Sequence, residues 1–291
     1  NLRSTEIPAN VYEGLSASPV TDVHIFARRG PAQVKFSSLE LRELGRIEDV
    51  DVIVYPEDFD FDEGSIAAIN SSNQTKQVVK TLTDWTLNDP ATFTASRRLH
   101  LHFLHAPVAV LDQDGAGKVT ALRTERTKLN GDASVSGTGE FHEWPVQAVY
   151  RAVGYFGSEL PQVPYDASRG VVANVEGRVT DLDGARVDGL YCTGWIKRGP
   201  IGLIGSTKSD AAETIRNLVA DAEDRSAFET ATKPDPQAIL DHLGAAGVEV
   251  VQWDGWLLLD AHERALGEAQ GRERVKVVPR DEQLDISLGR D

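Results

Sequence analysis

The 291-residue sequence has no methionine and a single cysteine, Cys192. One thiol excludes an intrachain disulfide and any thiolate cluster that could hold zinc or an iron–sulfur centre, and it fits a reducing, cytoplasmic setting. Basic residues are outnumbered, 30 Lys and Arg against 45 Asp and Glu, giving a net charge of −15. That balance excludes general nucleic-acid binding, which needs a basic footprint, and leaves room only for a local basic patch. No apolar run approaches the roughly 18 residues needed to span a bilayer. The first residues form no apolar signal-peptide core. A Walker A sequence, an HExxH helix and a Ser-His-Asp set with motif support are also absent. The missing methionine, and a start at Asn1 in ordinary-looking sequence, point to a chain that begins inside a longer polypeptide.

What is present is a soluble globular composition, 41% hydrophobic and 26% charged, long enough for two ordinary domains or one large one. Residues 20–27 read as a buried strand that stops at Arg28-Arg29-Gly30-Pro31. Residues 37–45 read as a helix, with a serine cap before it and Gly45 after it. A short strand is expected at 51–55, and helix over 65–85 with a break at 70–73. Strands are expected at 99–105, with a hairpin of 107–111 and 118–124 around Asp112–Gly117. A buried strand at 147–153 precedes a Pro-rich crossing near 161–165. Short strands near Val171 and Val179 come next, then a strand at 189–192, and helices over 209–226, 234–244 and 253–267. This alternation predicts an α/β fold with β-rich insertions. Gly137–His142 lacks the third glycine of a dinucleotide fingerprint and reads as a hairpin turn.

Two stretches carry the chemistry. Arg28-Arg29 follows the C-terminal end of a strand, the edge where doubly wound sheets bind ligands, and guanidinium forks suit a 2′-phosphate. A solvated basic turn fits the same pattern equally well. Glu40 stands one turn into the next helix, where it could meet a ribose or an amide, or simply face solvent. The second stretch is the strand–turn–helix Tyr191–Ser206, with four glycines and a proline in its turn. Glycines let a backbone approach a flat ligand, and a helix N-terminus offers free N–H groups. Trp195 could flank a ring or fill a core. Lys197 and Arg198 could pair with phosphate or an acidic partner, or be solvated. His100, His102 and His105 read as exposed strand histidines, since a metal would need ligands brought in from elsewhere.

Gly194-Trp-Ile-Lys-Arg-Gly-Pro-Ile-Gly-Leu-Ile-Gly205 resembles the FAD-contacting signature of the adrenodoxin-reductase type of ferredoxin–NADP reductase. Ile25–Leu44 resembles that family's NADP-specificity loop and helix. Tyr150–Tyr155 resembles its strand leading to the FAD domain, and Gly271–Val277 its C-terminal tail. The resemblance implies two Rossmann-like nucleotide-binding domains, both incomplete. Residues 1–160 would be the remainder of the NADP-binding domain, and 161–291 the C-terminal part of the FAD-binding domain. It implies FAD, NADP and a ferredoxin-like iron–sulfur partner. It also implies an N-terminal part that carries both glycine fingerprints, without which the chain would bind FAD weakly. Arg28 and Arg29 would grip the 2′-phosphate, and Glu40 would line the NADP site. Trp195 would stand beside flavin and nicotinamide. Gly202, Leu203 and Ile204 would approach the flavin ring, Gly202 also nearing the nicotinamide. Arg97, Arg98 and His102 would lie at the docking surface. The family often has threonine where Ile201 stands. The competing reading is a non-catalytic binding or assembly module that kept the fold.

Overall fold

The computed structural model describes residues 2–200, 204–224, 228 and 232–290. The chain divides into two compact units, Asn1–Tyr150 and Arg151–Asp291.

In the first unit, helix α1 (Ala9–Ser16) precedes strand β1 (Asp22–Phe26). Helix α2 (Ser38–Leu44), strand β2 (Val50–Val54), helices α3 (Glu63–Ser71) and α4 (Asn73–Trp85) and strand β3 (Arg97–His102) follow. The strands form a parallel sheet in the order β1-β3-β2. The expected break in the long helix is Ser72, whose extended backbone ends α3 and whose hydroxyl caps α4 by accepting from the Thr75 N–H at 3.3 Å. Side chains alternate across a strand, so Leu101 of β3 and Val52 and Val54 of β2 share one face. That face packs on Leu41 of α2 and on Val78 and Leu82 of α4 to form the core. β1 was expected to be buried. It is instead an edge strand with Val23 and Ile25 exposed: they lie on the face of Leu99 and Leu101, but among the described residues the core helices cover that face over β2 and β3 and not over β1.

The hairpin β4 (His105–Leu111) and β5 (Ala121–Leu129) forms as expected, and β6 (Val135–Pro145) completes a three-stranded antiparallel sheet. Gly137–His142 is therefore strand rather than turn. Its glycines serve a register shift opposite Glu125–Thr127, where a Cβ on Gly137 would run into the Glu125 carboxylate.

The expectation of exposed histidines is overturned. His100, His102 and His105 are buried. Leu99-His-Leu-His alternates because both faces of β3 are covered, one by helices and the other by rings. His24 lies opposite His100, and Phe26 opposite His102, in the parallel register. His24 stacks on His100 at 4.2 Å and Phe26 on His102 at 4.7 Å. Trp144 of β6 closes the layer, 4.4 Å from His102. A neutral imidazole packs as a ring, so counting it as a surface polar residue misread the pattern. His105 belongs to β4 and bonds Thr124 across the hairpin at 3.1 Å.

The second unit has β7 (Tyr165–Asp166) paired with β8 (Val171–Val172), and β9 (Asn174–Val175), β10 (Arg178–Thr180) and β11 (Arg186–Tyr191) in a second antiparallel sheet. Helices α5 (Trp195–Arg198), α6 (Ile204–Asp224), α7 (Gln237–Ala245), α8 (Trp253–Glu268) and α9 (Arg280–Ser287) follow. Asp221 of α6 ties the sheet to the helix. It accepts two bonds from Arg178, at 2.8 and 2.9 Å, and one each from Arg186 and Tyr191 at 2.7 Å. The strand expected at 147–153 is absent. Val149, Tyr150 and Val153 are exposed and without strand partners among the described residues, and a strand exists only where a neighbour completes its hydrogen bonds. Among the described residues no helix is long and apolar enough to cross a membrane.

The histidine layer makes stability acid-sensitive. Burial holds His102 down at about 3 and His105 at about 4, against 6.5 for a free imidazole. Below pH 6.5 the unfolded chain binds protons that the folded chain refuses, so stability is intact above that pH and falls as the pH drops towards 4. Urea unfolding at pH 7 and pH 5 should show a loss of up to about 2 kcal/mol per buried histidine. His102→Phe should make that pH dependence shallower.

Candidate functional site

Main-chain bonds hold the turn after β1 in place. The Ala27 N–H donates to His102 O at 2.8 Å, and Ala27 O accepts from the His105 N–H at 3.0 Å. Arg28 O accepts from the Thr127 hydroxyl at 2.7 Å, and Arg29 O from the Leu104 N–H at 3.3 Å. The backbone is thus pinned to the neighbouring strands while both arginine side chains stand exposed. Neither guanidinium pairs with a carboxylate among the described residues. Two unpaired cations on a rigid loop, in a chain of net charge −15, suit a polyanionic ligand group. Gly30 ends the turn, and a Cβ there would press on the Gln33 amide at 3.1 Å.

Glu40 has a structural partner. Ser37 and Glu40 form a reciprocal cap at the start of α2, each side chain bonding the other's backbone N–H at 3.1 Å. The Ser37 bonds hold the Glu40 carboxyl below its ordinary range. The spacing Ser37-x-x-Glu40 is the signature of a capping box, so this role could have been read from the sequence.

In the second unit, Gly194 enters α5 with φ 77° and Gly199 leaves it with φ 90°, a region that L side chains rarely occupy. Among the described residues nothing lies within 4 Å of a Cβ built on either glycine. Asp210 of α6 fixes the turn. Its carboxylate accepts from the Gly194 N–H at 2.6 Å and from the Thr193 hydroxyl at 3.2 Å. It also pairs with Lys197 at 3.2 Å and Arg198 at 3.6 Å. Burial works to raise the Asp210 carboxyl, but the Gly194 N–H and Lys197 outweigh it and hold the group ionised. Lys197 is buried and also meets Glu213 at 2.6 Å, so of its three readings the acidic partner holds. Arg198 has one guanidinium nitrogen, Nη2, buried without a partner among the described residues.

Trp195 is 50% exposed and stacks on the exposed Tyr155 at 6.2 Å. Together they present a two-ring apolar surface. Gly202 and Leu203 lie outside the described residues, and Ile204 is the first residue of α6. Cys192 is buried, and burial pushes its thiol up to about 11, so it is a packing residue and not a nucleophile. Of the three residues expected at a docking surface, Arg97 and Arg98 are exposed at the start of β3. His102 is 1% exposed, and its ring lies inside the aromatic layer, out of reach of a partner.

Asp210 escaped the sequence reading because it lies 16 residues beyond Gly194, at no motif spacing. Asp210→Asn would leave the buried Lys197 with Glu213 as its one remaining carboxylate and would take the charge from the group that holds the Gly194 and Thr193 turn. It should destabilise the second unit by on the order of 3 kcal/mol in chemical unfolding, with the Trp195 fluorescence changing as the turn loosens.

No family model matches the chain. It is 35% identical over 297 residues to the NADPH-ferredoxin reductase FprA of Mycobacterium tuberculosis, covering 99% of this chain and 62% of that protein. It is 33% identical over 296 residues to the human mitochondrial NADPH:adrenodoxin oxidoreductase, covering 98% of this chain and 59% of that protein. Among solved structures, M. tuberculosis FprA in complex with NADPH superposes with a TM-score of 0.83 at 34% identity, over 99% of this chain and 62% of that one. The chain therefore spans about three fifths of the length of the curated relatives it matches. Over nearly the whole of its own length, the chain is related to the adrenodoxin-reductase type of ferredoxin–NADP reductase.

Proposed function

We propose that this chain is part of an NADPH:ferredoxin oxidoreductase, in which its first unit selects NADPH and its second supplies one wall of an FAD site. The observation that carries this reading is the pair of exposed, unpaired guanidiniums at Arg28 and Arg29 on a backbone-pinned turn, in a chain similar to a reductase solved with NADPH. The residues fit the groups. The arginine forks match a 2′-phosphate. Among the described residues, the glycines Gly194 and Gly199 with no neighbour at the Cβ position, Arg198 Nη2 with no partner, and the exposed Trp195–Tyr155 pair match a flat polar ring system. FAD, when bound, supplies the conversion of a two-electron donation by NADPH into single electrons for a one-electron carrier.

The protein's part is position and electrostatics. Arg28 and Arg29 hold the nucleotide by charge-assisted hydrogen bonds that NADH cannot make. Glu40 shapes the start of α2 through its cap and, in this reading, also lines the nucleotide site. Trp195 excludes water from one side of the flavin and nicotinamide. In this reading Gly202, Leu203 and Ile204 would approach the flavin ring; Ile204 opens α6, where the helix dipole favours negative charge. The remaining walls of the site would come from a part that corresponds to the roughly two fifths of the relatives outside the matched region.

An acidic iron–sulfur carrier would dock by local charge, since the chain as a whole is acidic. Arg97 and Arg98 stand at the N-terminal end of β3. That is the opposite edge of the parallel sheet from Arg28, which follows the C-terminal end of β1. Nucleotide and carrier would then not compete for one surface.

In the full-length enzyme, Arg28→Ala with Arg29→Ala should cut kcat/KM for NADPH about 100-fold, roughly 2.7 kcal/mol, and leave NADH nearly unchanged. An unaltered NADPH/NADH ratio would remove the assignment. Arg97→Glu should weaken carrier reduction and flatten its dependence on salt. Stopped-flow rates across an ionic-strength series measure both.

A further inference from the structure

Five of the chain's seven histidines, His24, His100, His102, His105 and His142, gather in the first unit. The reading above uses none of them. We propose that His24, His100 and His102 form a binding site for a borderline divalent metal ion, zinc being the natural occupant by donor type.

The topology delivers the ligands. His24 and His100 are register partners on β1 and β3, and His102 is two residues further along the same face. One ring nitrogen from each of the three lies within 4.8 Å of the others. The closest pair, His24 Nδ1 and His102 Nε2, is 2.9 Å apart and shares one proton. Two nitrogens on a tetrahedral zinc, each about 2.0–2.1 Å from it, stand about 3.3 Å apart. An ion in place of that proton therefore opens this pair by a few tenths of an ångström. The proton moves to the far nitrogen of its own ring, so no net charge is released. His100 holds Asp22 through Nε2 and meets the Tyr55 hydroxyl through Nδ1 at 2.8 Å, so to ligate through Nδ1 it must release Tyr55.

The surroundings fit a metal as well. His100 Nε2 faces the Asp22 carboxylate at 3.1 Å, the outer-shell partner that orients a ligating imidazole and raises its basicity. Asp22 is held in turn by the Thr21 hydroxyl at 2.7 Å and by Arg98 at 3.4 Å. Phe26 and Trp144 wall the layer. A cavity of ≈ 310 Å³ leads to His102 past Tyr55 and His105, with Glu57 and Glu140 at its sides to draw in a cation. Three imidazoles suit zinc, copper, nickel or cobalt, and not calcium or magnesium, which take oxygen. Bound there, the ion would tie the edge strand β1 to β3.

The test uses the full-length protein, stripped by chelator and titrated with Zn²⁺ alone against a fluorescent competitor. One equivalent should bind and raise the melting temperature. His24→Phe and His100→Phe, which keep a stacking ring, should each weaken binding at least 100-fold. His242→Gln and His262→Gln, which lie elsewhere in the chain, should leave it unchanged. Co²⁺ gives a second reading that needs no variant, since a nitrogen-ligated tetrahedral site shows intense visible bands. Substoichiometric zinc, binding that survives His24→Phe in folded protein, or a weak octahedral cobalt spectrum would each overturn the proposal.

Discussion

The first unit depends on a central strand buried on both faces. β3 carries Leu99 and Leu101 towards the helices and His100 and His102 towards the ring layer. Its next residue, Phe103, donates its N–H to Asp58 at 2.7 Å. Asp58 is itself buried, and burial pushes its carboxyl up, opposed by Arg126, which meets it directly. Arg126 lies on β5 and also donates to Glu57 O at 2.7 Å. One strand thus joins the parallel sheet, the antiparallel sheet and the turn after β2. A polar residue on the leucine face would cost burial, and an aliphatic one on the histidine face would cost the ring stacking. The strand has no face free to absorb change, and the pinned turn at Arg28-Arg29 inherits its rigidity through the Ala27 bonds to His102 and His105.

Much of this architecture could be read in the sequence because its signals are local. Ser37 and Gly45 bound α2, Ser72 splits the long helix, and Asp112–Gly117 closes a hairpin. The failures have a common cause, which is that they turn on a partner distant in sequence. β1 reads as buried because Val23, Ile25 and Phe26 are apolar, but burial depends on whether a helix covers that part of the sheet face. Residues 147–153 are apolar and were read as strand, yet no strand lies alongside them among the described residues. The histidines were placed on the surface because alternation says only that the two faces differ, not what covers each. His24 lies 76 residues before His100, and Trp144 comes 42 residues after His102. Nothing in a local window joins them.

The candidate site shows the same division at the level of single charges. The sequence offers three adjacent basic pairs, Arg28-Arg29, Arg97-Arg98 and Lys197-Arg198, alike in composition. Folding gives them different work through the acids that reach them. Lys197 and Arg198 meet Asp210, are largely buried and fix the Gly194 turn, so their charge is spent on structure. Arg98 reaches Asp22 at 3.4 Å from an exposed position, a weak surface pair, while Arg97 stays exposed. Arg28 and Arg29 meet no carboxylate among the described residues although acids outnumber bases by half. In a chain so acidic, a pair of exposed arginines with no acid beside them among the described residues, on a backbone held by two hydrogen bonds, is free to receive an anion. The sequence can therefore nominate a cation for ligand binding, but only the fold can show that its charge is uncommitted. That uncommitted charge, more than the dipeptide itself, is the physical content of the nucleotide reading.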